Sequence, residues 1–217
     1  MDLSKLLPIL FSGMLKSLEI FGLTIIISIP LGMLVAFGKM SKHKIISFPI
    51  KLYILIMRGT PLMLQLICVY FIPGAISQSL GYELNYDRFL ACIIAFSINY
   101  AAYFAEIFRG GIESVPKGQY EASEILGLTK VQTFFKIVLP QVIKRVLPAS
   151  SNEVITLVKD TSLAQVIGVA ELFTKAREQM SVSLLPLFVA GVFYFVLNWI
   201  VTIIFSFFEK RLNYYKI

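Results

Sequence analysis

Residues 20–38 read IFGLTIIISIPLGMLVAFG, a run without a single charge. A helix needs roughly 20 mainly apolar residues to cross the hydrocarbon core of a bilayer. Backbone polar groups in lipid must be satisfied within the segment, so this run reads as a membrane-spanning helix. Three more charge-free blocks follow, at 59–82, 89–105 and 179–208. The whole chain is 57% hydrophobic and only 15% charged, with a mean hydropathy of +0.79. A soluble domain usually carries about 25% charged residues, so a soluble domain is excluded.

A fifth apolar block, 147–173, has the length of a span but contains Glu153, Lys159 and Asp160. Charge at that depth is costly in lipid, so this helix should face protein or water. Five spans result, at about 20–37, 52–72, 89–108, 148–167 and 184–208. The net charge of +7 then has an ordinary cause, because basic residues gather in the cytoplasmic loops. Lys39, Lys42, Lys44 and Lys51 lie between spans one and two. Lys117, Lys130, Lys136, Lys144 and Arg145 lie between spans three and four, and Lys210, Arg211 and Lys216 follow span five. The other side has Lys5, Lys16, Arg88, Lys175 and Arg177. The N-terminus is therefore expected outside and the C-terminus in the cytoplasm, with no call for a nucleic-acid partner.

Leu3, Leu6, Leu7, Leu10, Phe11, Met14, Leu15 and Leu18 recur at helical spacing. This predicts an amphipathic N-terminal helix lying at the membrane interface. No small-residue cleavage site precedes the first span, so the helix is expected to be retained. Cys68 and Cys92 fall in apolar spans, where a free thiol packs as a small hydrophobe. His43 is the only histidine, and no His/Cys cluster has the spacing of a metal site. No nucleophile–base pair suggests an enzyme. Residues 1–217 read as one membrane domain without repeats or a flexible linker.

The break in composition is the polar, basic stretch 110–147, whose pattern is that of two helices. Gly127 ends the first, as glycine does at helix C-termini. Thr129 and Gln132 then form a T-x-x-Q capping box. In the second helix Val131, Phe134, Phe135, Val138, Leu139, Val142, Ile143 and Val146 make one apolar stripe. An ordered cytoplasmic segment of this length calls for a function. Residues 32–39, GMLVAFGK, have five residues between the glycines and Met40 after the lysine. A phosphate-binding loop needs four and then Ser or Thr, so ATP, if used, belongs to a partner.

Glu121-Ala122-Ser123, then Gly127, then Ile137-Val138-Leu139-Pro140 resemble the EAA loop of ABC-importer permeases. Every spacing fits, and Ser123 stands where the family usually has alanine. Residues 100–112, YAAYFAEIFRGGI, are similar to the polar-amino-acid branch. So are 115–119 (VPKGQ), 58–61 (RGTP) and 157–163 (LVKDTSL). The resemblance implies an all-α permease of the type I importer class, with a coupling segment at about 112–147. It also implies two cytoplasmic ATP-binding subunits holding ATP and magnesium, a second permease copy or close paralogue, and an extracytoplasmic binding protein. A bacterial cytoplasmic membrane follows. Glu121, Ala122, Ser123 and Gly127 would seat a short helix against the ATPase.

Glu153 and Asp160 are seven apart and share a helix face. They are candidates to hold the cationic groups of an amino acid, with Asn152 adding a hydrogen bond; the alternative is a structural ion pair. Asn99 and Tyr103 share a face of span three, Tyr103 offering a cation–π surface. Ser97 lies on a neighbouring face. Arg58 can attract a substrate carboxylate, or instead snorkel or pair with an acid. Pro61 after it should kink span two. The acidic excess points to arginine, lysine or histidine as substrate, with glutamine or cystine as the alternative. A stand-alone carrier is the competing class, but carriers often show inverted repeats and this chain shows none.

Overall fold

The run 20–38 lies inside α1 (Leu3–Lys39), one helix of 37 residues. The computed structural model describes residues 3–82, 87–180 and 183–212. Lys216 and both termini, on which the sequence orientation partly rests, lie outside them. Among the described residues all regular structure is helical. After α1 come α2 (Lys44–Gly59), α3 (Leu62–Ser79), α4 (Arg88–Glu113), α5 (Lys117–Ile125) and α6 (Lys130–Thr133). A π-helical turn (Phe134–Val138) leads into α7 (Leu139–Asp160), which tightens to a 3-10 helix (Thr161–Ile167). The path closes with α8 (Leu172–Glu178) and α9 (Leu185–Leu212).

The N-terminal amphipathic stretch is helical, as its spacing predicts, but it is not a separate interfacial element. No helix breaker separates it from the first span, so the hydrogen-bond ladder runs on. Part of its stripe is also protein-facing: Leu6 and Leu10 are fully buried with Leu172, Ala176 and Ala190, and Met14 packs beside them. Span two differs in the other direction and is broken rather than kinked, with α2 ending at Gly59 and α3 starting at Leu62. Span four is not separate from the second cytoplasmic helix. The helix that opens at the Thr129 capping box runs through the π turn into α7. The π turn sits just before Pro140, which has no N–H to donate and crowds the preceding turn.

Helix α4 is the hub. Its buried residues run from Ala91 to Ile112 and occupy most of its circumference. Small residues let its neighbours approach closely, the usual device where both sides are apolar. A Cβ on Gly32 of α1 would stand 2.8 Å from Phe104 Cβ and 3.1 Å from the Ala101 carbonyl. A Cβ on Gly111 would stand 2.3 Å from Val146 Cγ1 of α7. Among the described residues four helices, α1, α3, α4 and α9, are long and apolar enough to cross a membrane. Helix α7 is set apart by its charges.

The α1–α4 seam is testable. Gly32→Ala is expected to lower stability by about 1–3 kcal/mol through overpacking. Gly22→Ala, which meets nothing within 4 Å, should change it by less than about 1 kcal/mol, in the stabilising direction. Thermal midpoints in detergent, followed by size-exclusion chromatography, read both. Equal midpoints would mean that α1 and α4 do not meet at Gly32.

Candidate functional site

The charged face of α7 decides what this chain can do. Asn152, Thr156 and Lys159 are exposed on it, and Glu153 and Asp160 are half-buried. The Tyr100 hydroxyl of α4 donates to Asp160 Oδ2 at 2.8 Å. Among the described residues neither carboxylate makes an ion pair. A polar stripe with two carboxylates cannot face hydrocarbon at acceptable cost. It has to line a water-filled space or meet another protein surface.

Next to this face the ends of α1, α2 and α4 enclose a groove of about 450 Å³ lined by Lys39, Lys51, Arg58, Tyr103 and Glu106 among others. Glu106 is its ionic centre. It accepts from Lys39 and, at 2.9 Å, from Arg109, which also holds Glu113. Arg58 approaches Glu106 Oε2 only to 3.8 Å. Its guanidinium lies 5.3 Å from the centre of the Tyr103 ring, and its charge reaches Glu153. Arg58 is thus in contact with an acid and an aromatic face, yet remains 44% exposed.

The break in span two sets where Arg58 stands. Thr60 precedes a proline and is pushed into an extended conformation (φ −121°, ψ 146°). Pro61 has no N–H, so the Met57 carbonyl four residues earlier loses its helical donor. Asn99 Nδ2 and Gln65 Nε2 donate to it, at 3.1 and 3.0 Å. Gln65 Nε2 also donates to the Thr60 carbonyl at 3.1 Å and to Thr60 Oγ1 at 2.7 Å. Gln65 Oε1 accepts from Asn99 at 2.9 Å. The amide N–H groups of Asn99 are therefore engaged in holding the break. Ser97 is 3% exposed and lies one turn before Ala101, on the face that α1 covers. It is not on the open polar surface.

At the far end, α5 carries Glu121 and Ala122 exposed. Gly127 takes a left-handed φ of +69°. The Leu128 N–H reaches back to the Ser123 carbonyl and the Gly127 N–H to Glu124, which closes the helix. Ser123 differs from the expected outward role. Its hydroxyl donates to the Tyr120 carbonyl and accepts from Thr133 Oγ1 at 3.0 Å, both hydroxyls being buried. It ties α5 to α6, so the outer surface falls to Glu121, Ala122 and the exposed Ile125 and Leu126.

A family model for the binding-protein-dependent transport system inner membrane component matches residues 28–214. The chain belongs to this family. Two curated relatives are 36% identical to it, both from Bacillus subtilis (strain 168). One is the L-cystine transport system permease protein TcyB, matched over 96% of this chain and 88% of the relative. The other is the arginine transport system permease protein ArtQ, matched over 95% and 94%. A crystal structure of an amino acid ABC transporter with histidines superposes with a TM-score of 0.85, at 35% identity over 96% of both chains. The protein is the permease of an ABC amino acid importer, an inner-membrane component.

Three residues shape this permease in ways the sequence does not show. Tyr100 opens the 100–112 motif, but nothing there marks its bond to Asp160; Gln65 reads as an ordinary member of an apolar helix, and only the proximity of Pro61, which needs a replacement donor nearby, hints at it. Glu171 is the third. It is fully buried and caps α8, accepting from the N–H groups of Phe173 and Thr174, from Thr174 Oγ1 and from the Tyr194 hydroxyl. Ser17 of α1 stands 3.4 Å away. Burial pushes this carboxyl above the usual carboxylate range, while its hydrogen bonds act against that shift. Glu171→Ala leaves several buried donors unpaired and should cost about 3 kcal/mol or more, against about 1 kcal/mol for Glu171→Gln. The thermal midpoints of the two variants should fall in that order.

Proposed function

We propose that this permease and a second copy, or a close paralogue, enclose a pathway for a polar amino acid, with cationic amino acids preferred. The open acidic face of α7 carries the reading. Glu153 and Asp160 make no ion pair among the described residues, with Arg58 and Lys159 only near them, and Tyr100 donates to Asp160. The ammonium and guanidinium groups of arginine, or the side chains of lysine and histidine, would supply the missing charge. A facing copy would cover the polar stripe and shut lipid out. Identity does not choose the substrate, since relatives named for cystine and for arginine stand at the same 36%.

Two ATP-binding subunits would dock on α5 through Glu121, Ala122 and the apolar tip. An extracytoplasmic binding protein would deliver substrate to the opposite side, near α8. The N-terminus then lies outside and the C-terminus in the cytoplasm. Gly32–Lys39, which superficially resembles a nucleotide loop, is regular helix inside α1, and Lys39 is engaged with Glu106. ATP would be bound by the partner.

Uptake into proteoliposomes holding the permease with its ATP-binding subunits tests this. Arginine uptake should require ATP and collapse in Glu121→Lys. Asp160→Asn should lower it by about tenfold or more, as loss of a buried charge partner does. Arginine uptake unchanged in both Asp160→Asn and Glu153→Gln would sink the cationic preference and favour glutamine or cystine. Uptake without ATP would make the chain a stand-alone carrier.

A further inference from the structure

The break in span two is more than a tolerated irregularity. A lost hydrogen bond in a membrane helix can be replaced in many ways, by a serine one turn back or by water. Here a single side chain from the second half of the span does most of it. Gln65 belongs to α3, yet its amide nitrogen reaches across the break to Met57 and Thr60 of the first half. Those two residues flank Arg58 in the chain. Its amide oxygen meanwhile accepts from Asn99 of α4. Asn99 stands one helical turn before Tyr103, the ring over which Arg58 lies. One primary amide therefore joins both halves of the span to the helix that receives the Arg58 side chain.

Arg58 itself has little else to fix it. It is 44% exposed, and its approach to Glu106, at 3.8 Å, is the loosest of the contacts around that acid. Its angle to the polar site is set by the backbone from which it springs. That backbone is held from outside the helix, since the helical ladder stops there.

We propose that Gln65 is a positioning residue of the permease: by clamping the Met57 and Thr60 carbonyls to Asn99, it aims Arg58 at the Tyr103–Glu106–Glu153 side of the pathway. Gln65 does not itself touch substrate in this arrangement. The inference rests on the reading that Arg58 and Glu153 border the pathway.

The test uses the assembled transporter in proteoliposomes, with L-arginine, L-histidine, L-glutamine and L-cystine each titrated in turn. The readouts are the half-saturating concentration and the maximal rate of ATP-driven uptake. Gln65→Leu should raise the half-saturating concentration by about tenfold, the size of one or two lost hydrogen bonds, and leave the maximal rate within about twofold. Gln65→Glu, which still accepts from Asn99 but sets a carboxylate oxygen against the two carbonyls, should give a shift at least as large in the same direction. In an Arg58→Lys background Gln65→Leu should add little, because effects that pass through one residue are not additive.

An unchanged half-saturating concentration in Gln65→Glu overturns the proposal. So does a shift in Gln65→Leu that is fully retained in the Arg58→Lys background, which would make Gln65 independent of Arg58. A parallel fall of maximal rate and affinity that follows the loss of thermal stability would reduce Gln65 to a packing residue. Failure of the underlying reading looks different: Arg58→Lys and Glu153→Gln alone would then leave uptake of all four amino acids unchanged.

Discussion

A backbone carbonyl inside a bilayer has no water to turn to, and this constraint organises the molecule. Most of the chain meets it by staying helical. At Pro61 that solution fails, because the ring has no hydrogen to give and forces the preceding residue out of the helix. The freed carbonyl of Met57 draws in Asn99 and Gln65. The polar interior of the bundle thus grows around a defect in one helix. Tyr53 adds a further tie, its hydroxyl donating to the Ile98 carbonyl. Helix α4 supplies a partner in each case, which fits its place at the centre of the fold.

Charge obeys the same logic. Acids and bases at the groove are satisfied against one another around Glu106, whereas Glu153 and Asp160 are left facing outward. An isolated copy of this chain would present carboxylates where a lipid tail would sit. The polar stripe of this subunit calls for water or a polar surface beside it.

Much of this was legible in the sequence, though unevenly. Charge-free runs located the apolar helices, because hydropathy averages over many residues. The capping box at Thr129 and the turn at Gly127 were readable because each rests on local chemistry alone. Glu153 and Asp160 stand out in the sequence by their cost in a membrane. Local reading failed where long-range partners decide. The first helix swallows its amphipathic stretch because α8 and α9 cover Leu6 and Leu10. Ser123 turns inward because Thr133 is there to meet it. Asn99 reads as a pathway residue by its face, and only the broken helix opposite shows where its amide is used. Glu171 stands at the end of the apolar block 147–173, and its capping role shows only with Tyr194 and the start of α8 around it.

The helical path from the Thr129 cap to Asp160 has no loop in it. A loop absorbs inserted or deleted residues, whereas a helix converts each one into a rotation of about 100° and a shift of about 1.5 Å. One residue gained between the π turn and Asp160, unless a further π turn took it up, would rotate Asp160 and its bond to Tyr100 out of phase with the Thr129 cap. Two surfaces far apart in the molecule are therefore locked in phase by chain length. Length along this path is a constraint in its own right, beside the side chains that fix its two ends, Thr133 against Ser123 and Asp160 against Tyr100.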